Sequence, residues 1–188
     1  MTEERDFLIA PLRELVRLFD ELEIPYALMG GMAVAIHGIP RITRELNFVI
    51  SLSGDRQYDF LTSFRKLGYK WPESTHAGLV DQYSAVAFSR DDGLVVVADM
   101  LMAEPEYRQL LLRRHQRVVV DGIEAWVVSP EDLIILKLIA GRPRDIGDIL
   151  DILMAQGPLD SEYLRHWSHH FGLTDRLDET LKLYGEMS

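Results

Sequence analysis

The stretch from Tyr26 to Ile50 restricts the fold of this chain more than any other. Tyr26-Ala27-Leu28-Met29 is a short apolar run that stops at Gly30-Gly31. Met32-Ala33-Val34-Ala35-Ile36-His37 then continues in small apolar residues until Gly38 and Pro40 close it. The pattern predicts a strand, a tight turn and a short helix. Leu46-Asn47-Phe48-Val49-Ile50 predicts a second strand. Side chains at alternate strand positions share a face, so Glu45 and Asn47 project together while Leu46 and Phe48 point into the core. Two polar groups placed in this way have the geometry of a metal-binding pair.

Before this segment, Leu8, Leu12, Leu15, Phe19 and Leu22 recur at steps of four and three, which predicts an amphipathic helix entering near Pro11 and ending before Ile24-Pro25. After it, Ser53 is placed to cap a helix that turns Phe60, Leu61, Phe64 and Leu67 inward and ends at Gly68. Tyr83 to Ser89 and Leu94 to Met100 flank Arg90-Asp91-Asp92-Gly93, and Gln116 to Val120 and Ile123 to Val128 flank Asp121-Gly122. Both pairs predict antiparallel hairpins, the second through a type I′ turn. Ser129-Pro130-Glu131-Asp132 opens a helix with Ser as N-cap and Pro in the first turn, running to Ala140 and stopped by Gly141. Asp145 is placed to cap the next helix, and helical patterns over residues 160–171 and 174–187 complete an α-rich C-terminal part.

Composition removes several classes of function. The 188 residues suffice for one core, and 47% hydrophobic with 27% charged residues is ordinary globular usage rather than disorder. Twenty Lys and Arg against 30 Asp and Glu give a net charge of -10, which repels polyanions at long range and argues against a DNA-coating protein. The absence of Cys excludes disulfides, Cys-ligated zinc and thiol catalysis, and fits a reducing cytoplasm. The N-terminus is acidic where a secretory signal is basic, and no apolar run approaches the roughly 20 residues that a bilayer requires. The expectation is a cytoplasmic protein with no membrane contact.

Met29-Gly30-Gly31, followed after thirteen residues by Glu45-Leu46-Asn47-Phe48, resembles the signature of the nucleotidyltransferase superfamily with its DNA polymerase beta-like fold. There, an apolar residue and Gly-Gly or Gly-Ser precede an Asp-x-Asp pair on a neighbouring strand. Residues Tyr26 to Thr43 are similar in particular to minimal, AbiEii-type bacterial nucleotidyltransferases. Asp99, at the end of Val95-Val96-Val97-Ala98-Asp99, matches the position of the family's third carboxylate. Ser129 to Leu133, then Lys137 through Arg142, Arg144, Asp145 and Asp148, match its helix, lysine and Arg-x-x-Asp-x-x-Asp segment, so the resemblance spans roughly residues 8–155.

The resemblance implies an α/β (α+β) fold: a mixed, mostly antiparallel sheet with flanking helices over residues 1–128, and a helical C-terminal portion over 129–188 packed on it as one unit. It implies metal-dependent transfer of a nucleoside monophosphate from an NTP to an RNA acceptor, tRNA-like included, or to a protein, as in toxin-antitoxin modules. Glu45, Asn47 and Asp99 would hold Mg2+ or Mn2+, which clamp the attacking and leaving oxygens, and Asp99 inherits the role of base for the acceptor hydroxyl. Gly30, Gly31 and Thr43 would face the phosphates, with Lys137 as a point charge and Arg142 or Arg144 as a planar fork. The chain departs from the pattern where the metal binds. Glu45 is one methylene longer than Asp and Asn47 carries no charge, so two carboxylate charges stand where the family has three. At roughly 3–5 kcal/mol in the transition state, that lowers the rate on the order of 10²- to 10⁴-fold. The alternative is a catalytically inactive module that keeps the fold and acts as a regulatory or toxin-antitoxin partner.

Each assignment has a plainer counterpart. Glu45 and Asn47 also suit the wet face of an edge strand, and Asp99 suits a turn cap. Lys137 suits a stem at the core edge with its ammonium reaching water. Asp145 and Asp148 suit a salt-bridged helix junction. His37 suits a packed helix end. His166, His169 and His170 lack a carboxylate at metal-binding spacing. Arg108, Arg113, Arg114 and Arg117, opposed by Glu106 alone, with Arg41 and Arg44 flanking the site, suit a face for an RNA end; equally, arginines at a helix end suit compensation of the helix dipole.

Overall fold

The computed structural model describes residues 3–41, 43, 45–52, 54–70, 86–91, 93, 95–99 and 105–187. Helix α1 (Glu3–Glu21) leads into strand β1 (Tyr26–Met29), which passes directly into helix α2 (Gly30–His37). Strand β2 (Glu45–Ile50), helix α3 (Gly54–Lys66) and the hairpin of β3 (Val86–Ser89) and β4 (Val95–Asp99) follow. Helix α4 (Pro105–Arg114) precedes a second hairpin, β5 (Gln116–Val120) and β6 (Ile123–Val127). Four helices end the chain: α5 (Pro130–Ala140), α6 (Pro143–Ala155), α7 (Ser161–His170) and α8 (Thr174–Met187).

The strands form one sheet in the order β3-β4-β2-β1-β6-β5. β1 pairs antiparallel with β2 and parallel with β6, β2 pairs parallel with β4, and both hairpins are antiparallel. The sheet is thus mixed and mostly antiparallel. β1 and β2 lie at its centre, so the residues that follow β1 and open β2 are held by neighbours on both sides.

Aromatic packing fixes the orientation of β2. Phe48 meets Phe19 of α1 at 5.1 Å, Phe60 stacks on Phe19 at 6.3 Å, and Phe64 meets Phe88 of β3 at 4.7 Å. All five rings are fully buried, at about 1.5–3 kcal/mol each. With Phe48 committed to that layer, Asn47 is turned to the opposite face.

Most boundaries fall at the punctuation the sequence carries. Asp121 (φ 47°) and Gly122 (φ 76°) make the type I′ turn of the second hairpin. Ser129 caps α5 by accepting the Asp132 N–H on its hydroxyl, and Gly141 closes it in the left-handed conformation. Ser53, the expected cap of α3, lies outside the described residues. Two expectations are corrected. α1 begins at Glu3 and carries Pro11 inside it; a missing backbone hydrogen bond there is outweighed by the burial of Leu8, Leu12, Leu15 and Phe19. Asp145 is not the N-cap of α6: Arg142 takes that position, Pro143 follows, and Asp145 accepts the Arg142 N–H at 2.9 Å from the third helical position.

Candidate active site

The site begins where β1 becomes α2. Met29 is paired with Asn47 across the β1–β2 ladder, which carries Gly30 to the side of the Asn47 side chain. Gly30 has φ +65°, and a Cβ there would lie 2.8 Å from Asn47 Nδ2. Gly31 is walled by the segment entering β2: a Cβ would meet Thr43 Oγ1 at 2.7 Å and Arg41 Nη2 at 3.3 Å. Both glycines are therefore required, the first by conformation and contact, the second by contact. Thr43 Oγ1 accepts the Glu45 N–H at 3.4 Å, and Glu45 opens β2 as an exposed residue.

Behind this turn lies a compact group of charges. Lys137 of α5 donates to Asp145 at 2.8 Å and Asp148 at 2.5 Å, both on α6. Asp148 also accepts from Arg41 Nη2 on Oδ2 at 2.9 Å, and Arg41 Nε lies 2.8 Å from Oδ1 as an ion-pair contact. Lys137, Asp145 and Asp148 are buried. Gly38 allows α6 to come this close: a Cβ there would meet the backbone of Asp151 and Ile152 at 3.1 Å.

Residues 90–176 match a family model described as "Nucleotidyltransferase of unknown function (DUF6036)". Among solved structures, an antigenic nucleotidyltransferase-like protein from Paracoccidioides brasiliensis superposes with a TM-score of 0.56 at 19% identity, covering 96% of this chain and 93% of that one. The antibiotic-resistance factor ANT(2'')-Ia gives 0.59 at 12% identity, covering 96% and 98%. The lincosamide antibiotic adenylyltransferase LnuA, in its lincomycin-bound form, gives 0.55 at 14%, covering 83% and 99%. This chain has the nucleotidyltransferase fold. The search among curated proteins gives no match.

Within the nucleotidyltransferase fold, the β2–β4 register decides how the expected metal ligands relate. Glu45 is level with Val95, Asn47 with Val97, and Asp99 with Val49. The side chain of Asp99 lies outside the described residues. Four residues along paired strands span about 13 Å, so the backbone levels of Glu45 and Asp99 are too far apart for one shared ion, with Asn47 midway between them. Glu45 and Asn47 are hard oxygen donors on one strand face and so fit a divalent cation. Among the described residues, no group of three or more His, Cys, Asp or Glu is placed to hold a metal ion.

The remaining expected residues fall as follows. Arg142 and Arg144 are exposed at the start of α6. Of the arginines around α4, Arg114 pairs with Asp132 and Glu131, and Arg117 pairs with Glu124, so acids match part of that basic surface. His37 donates from Nε2 to Val128 O at 2.7 Å and is buried, which pushes its pKa down. Among the described residues, no helix is long and apolar enough to cross a membrane.

Sequence reasoning missed two things. It took Arg41 only as a cation flanking the site, although a single residue separates Arg41 from the expected Thr43-x-Glu45 edge. It also missed the buried carboxylate of Asp132, which accepts Tyr107 OH at 2.9 Å, Ser129 Oγ at 2.7 Å, Arg114 Nε at 3.3 Å and the Tyr163 hydroxyl. Burial, then the Asp132 charge, drives both tyrosine pKa values far above the usual range, so both hydroxyls stay protonated and donate. This network joins α4, α5 and α7.

Proposed function

We propose that this chain binds a nucleoside triphosphate at the Gly30-Gly31 turn and transfers a nucleoside monophosphate to an RNA or protein hydroxyl, at a rate lowered by the Glu45-x-Asn47 substitution. The observation that carries this reading is the packing of Gly30 on Asn47 and of Gly31 on Thr43, which brings a backbone turn, a hydroxyl and the polar face of β2 to one place. Backbone N–H groups at the start of α2 suit phosphate oxygens, and the missing Cβ atoms allow close approach. Glu45 with Asn47 would hold one Mg2+ or Mn2+ and Asn47 with Asp99 a second, since Glu45 and Asp99 stand too far apart to share one, and these ions would neutralise charge on the transferring phosphoryl group. Asp99 is the candidate base for the acceptor hydroxyl. Lys137 and Arg142 complete the cations of this reading, and a triphosphate competes with Asp145 and Asp148 for the Lys137 ammonium.

A second reading, a nucleotide-fold module that regulates a toxin-antitoxin type partner without catalysis, is favoured by the neutral Asn47 standing between the levels of Glu45 and Asp99. Transfer of α-labelled NTPs to total RNA and protein separates the two. Labelling by the native chain that is lost in Asp99→Asn supports the enzyme. Labelling only after Asn47→Asp supports a silenced enzyme, and none in either supports the module.

A further inference from the structure

We propose that Arg41 is a phosphate-contacting residue of this site and that Asp148 is the residue that positions it. The proposal rests on the nucleotide-binding reading above and adds a residue to it. Arg41 belongs to the segment between α2 and β2, yet its guanidinium is fixed from α6: Nη2 donates to Asp148 Oδ2 at 2.9 Å, and Nε lies 2.8 Å from Oδ1 as an ion-pair contact. Asp148 cannot swing away, because the same carboxylate accepts from Lys137 of α5, and Lys137 is in turn tied to Asp145. The position of the guanidinium is thus set by three side chains, Asp148 directly and Lys137 and Asp145 behind it, from two helices.

Two further observations turn this strut toward the site. Nη2 of Arg41 lies 3.3 Å from the Cβ position of Gly31, beside Thr43 Oγ1. The cluster is also polarised: the side chains of Asp145 and Asp148 are 3% exposed and that of Lys137 10%, whereas that of Arg41 is 20% exposed. Its two acids face inward and its most accessible member is a cation. Two positive and two negative charges cancel, so an anion approaching Gly31 meets a guanidinium without meeting an excess of carboxylate. A guanidinium is a planar, permanently charged donor whose charge-assisted hydrogen bonds suit phosphate oxygens. A guanidinium held in this way suits the β- and γ-phosphate oxygens of a bound triphosphate more than a nucleoside monophosphate.

Calorimetric titration of the full chain with ATP, AMP and inorganic tripolyphosphate tests this, for the native protein, Arg41→Gln, Arg41→Lys, Asp148→Asn and the remote control Arg165→Gln. Arg41→Gln is expected to weaken ATP and tripolyphosphate about tenfold while changing AMP less than about threefold, so that the ATP-to-AMP affinity ratio collapses. Asp148→Asn is expected to lower the same ratio through Arg41, and Arg165→Gln to leave it unchanged. A purely structural strut would lower the melting temperature without changing the ratio, and that result overturns the proposal. Should Arg41→Gln fail to fold, Arg41→Lys is read in its place: a ratio lowered at least threefold supports the fork, and an unchanged ratio overturns it. Tripolyphosphate binding that needs Arg41 upholds the proposal even where no nucleotide binds and the functional reading falls. A native chain that binds neither ATP nor tripolyphosphate overturns both.

Discussion

Asn47 Nδ2 lies 2.8 Å from the point a Cβ on Gly30 would occupy, and Thr43 Oγ1 lies 2.7 Å from the same point on Gly31. The contacts look alike, but the backbones differ, because Gly30 alone has positive φ. Gly31→Ala is expected to destabilise the chain by about 1–3 kcal/mol through overpacking, and Thr43→Ala placed with it to recover most of that loss. Gly30→Ala carries a further conformational cost of about 1–2 kcal/mol, so Asn47→Ala restores only part of it. Chemical denaturation of the two double-mutant cycles measures the difference. Equal recovery in both cycles contradicts the account.

Asn47 is also where one atom changes the charge of the site. In Asn47→Asp the carboxylate stands beside the first turn of α2, where the helix dipole favours it, and two residues from Glu45 on the same strand face. The variant is expected to gain Mg2+-dependent thermal stabilisation that the native chain shows weakly, following RT ln(1 + [Mg2+]/Kd). Melting curves across a Mg2+ titration check it. Superimposable curves for the two proteins would remove Asn47 from the metal site.

How much of this was legible in the sequence depends on range. Gly30-Gly31, Asp121-Gly122, Ser129-Pro130 and Gly141 act on their own neighbours, and each ends or turns an element where expected. Pro11 misled because a local preference was overridden by the burial of side chains on either side of it. The Arg41–Asp148 pair spans 107 residues, and nothing local distinguishes Asp148 from a surface acid. Its meaning depends on the approach of α6 to the end of α2 at Gly38, which only the fold supplies. Tyr107 and Tyr163 were silent for the same reason: the carboxylate they share, Asp132, lies 25 and 31 residues away in the chain.

Asp132 is fully buried and accepts from four side chains, so its removal strands donors as well as a cation. Asp132→Ala is expected to cost about 3–5 kcal/mol, as for a buried pair broken from one side. Tyr163→Phe, which removes one donor and leaves three, is expected to cost about 1–2 kcal/mol. Urea denaturation monitored by tryptophan fluorescence reads both, since Trp167 lies 4.5 Å from Tyr107. A loss for Asp132→Ala no larger than that for Tyr163→Phe would show the carboxylate to be dispensable.

His37 and His115 give the fold a dependence on pH with a definite sign. Each is held below the ordinary histidine value of about 6.5, chiefly by burial, although its ring donates to a backbone carbonyl: His37 to Val128 and His115 to Tyr26. His115 is further covered by Trp126, stacked on it at 4.1 Å. A depressed folded pKa means that the unfolded chain takes up the proton first as pH falls. The stability contribution of each ring is therefore complete above about 6.5 and is lost as pH drops through the folded values. Melting temperature is expected to be flat from pH 8 to about 7 and to fall toward pH 5, before most carboxylates titrate. His37→Gln, whose amide can still donate to Val128, is expected to flatten that fall in part, and His37→Gln with His115→Gln to flatten it further. A double variant that melts with the native pH profile would assign the acid sensitivity to other groups.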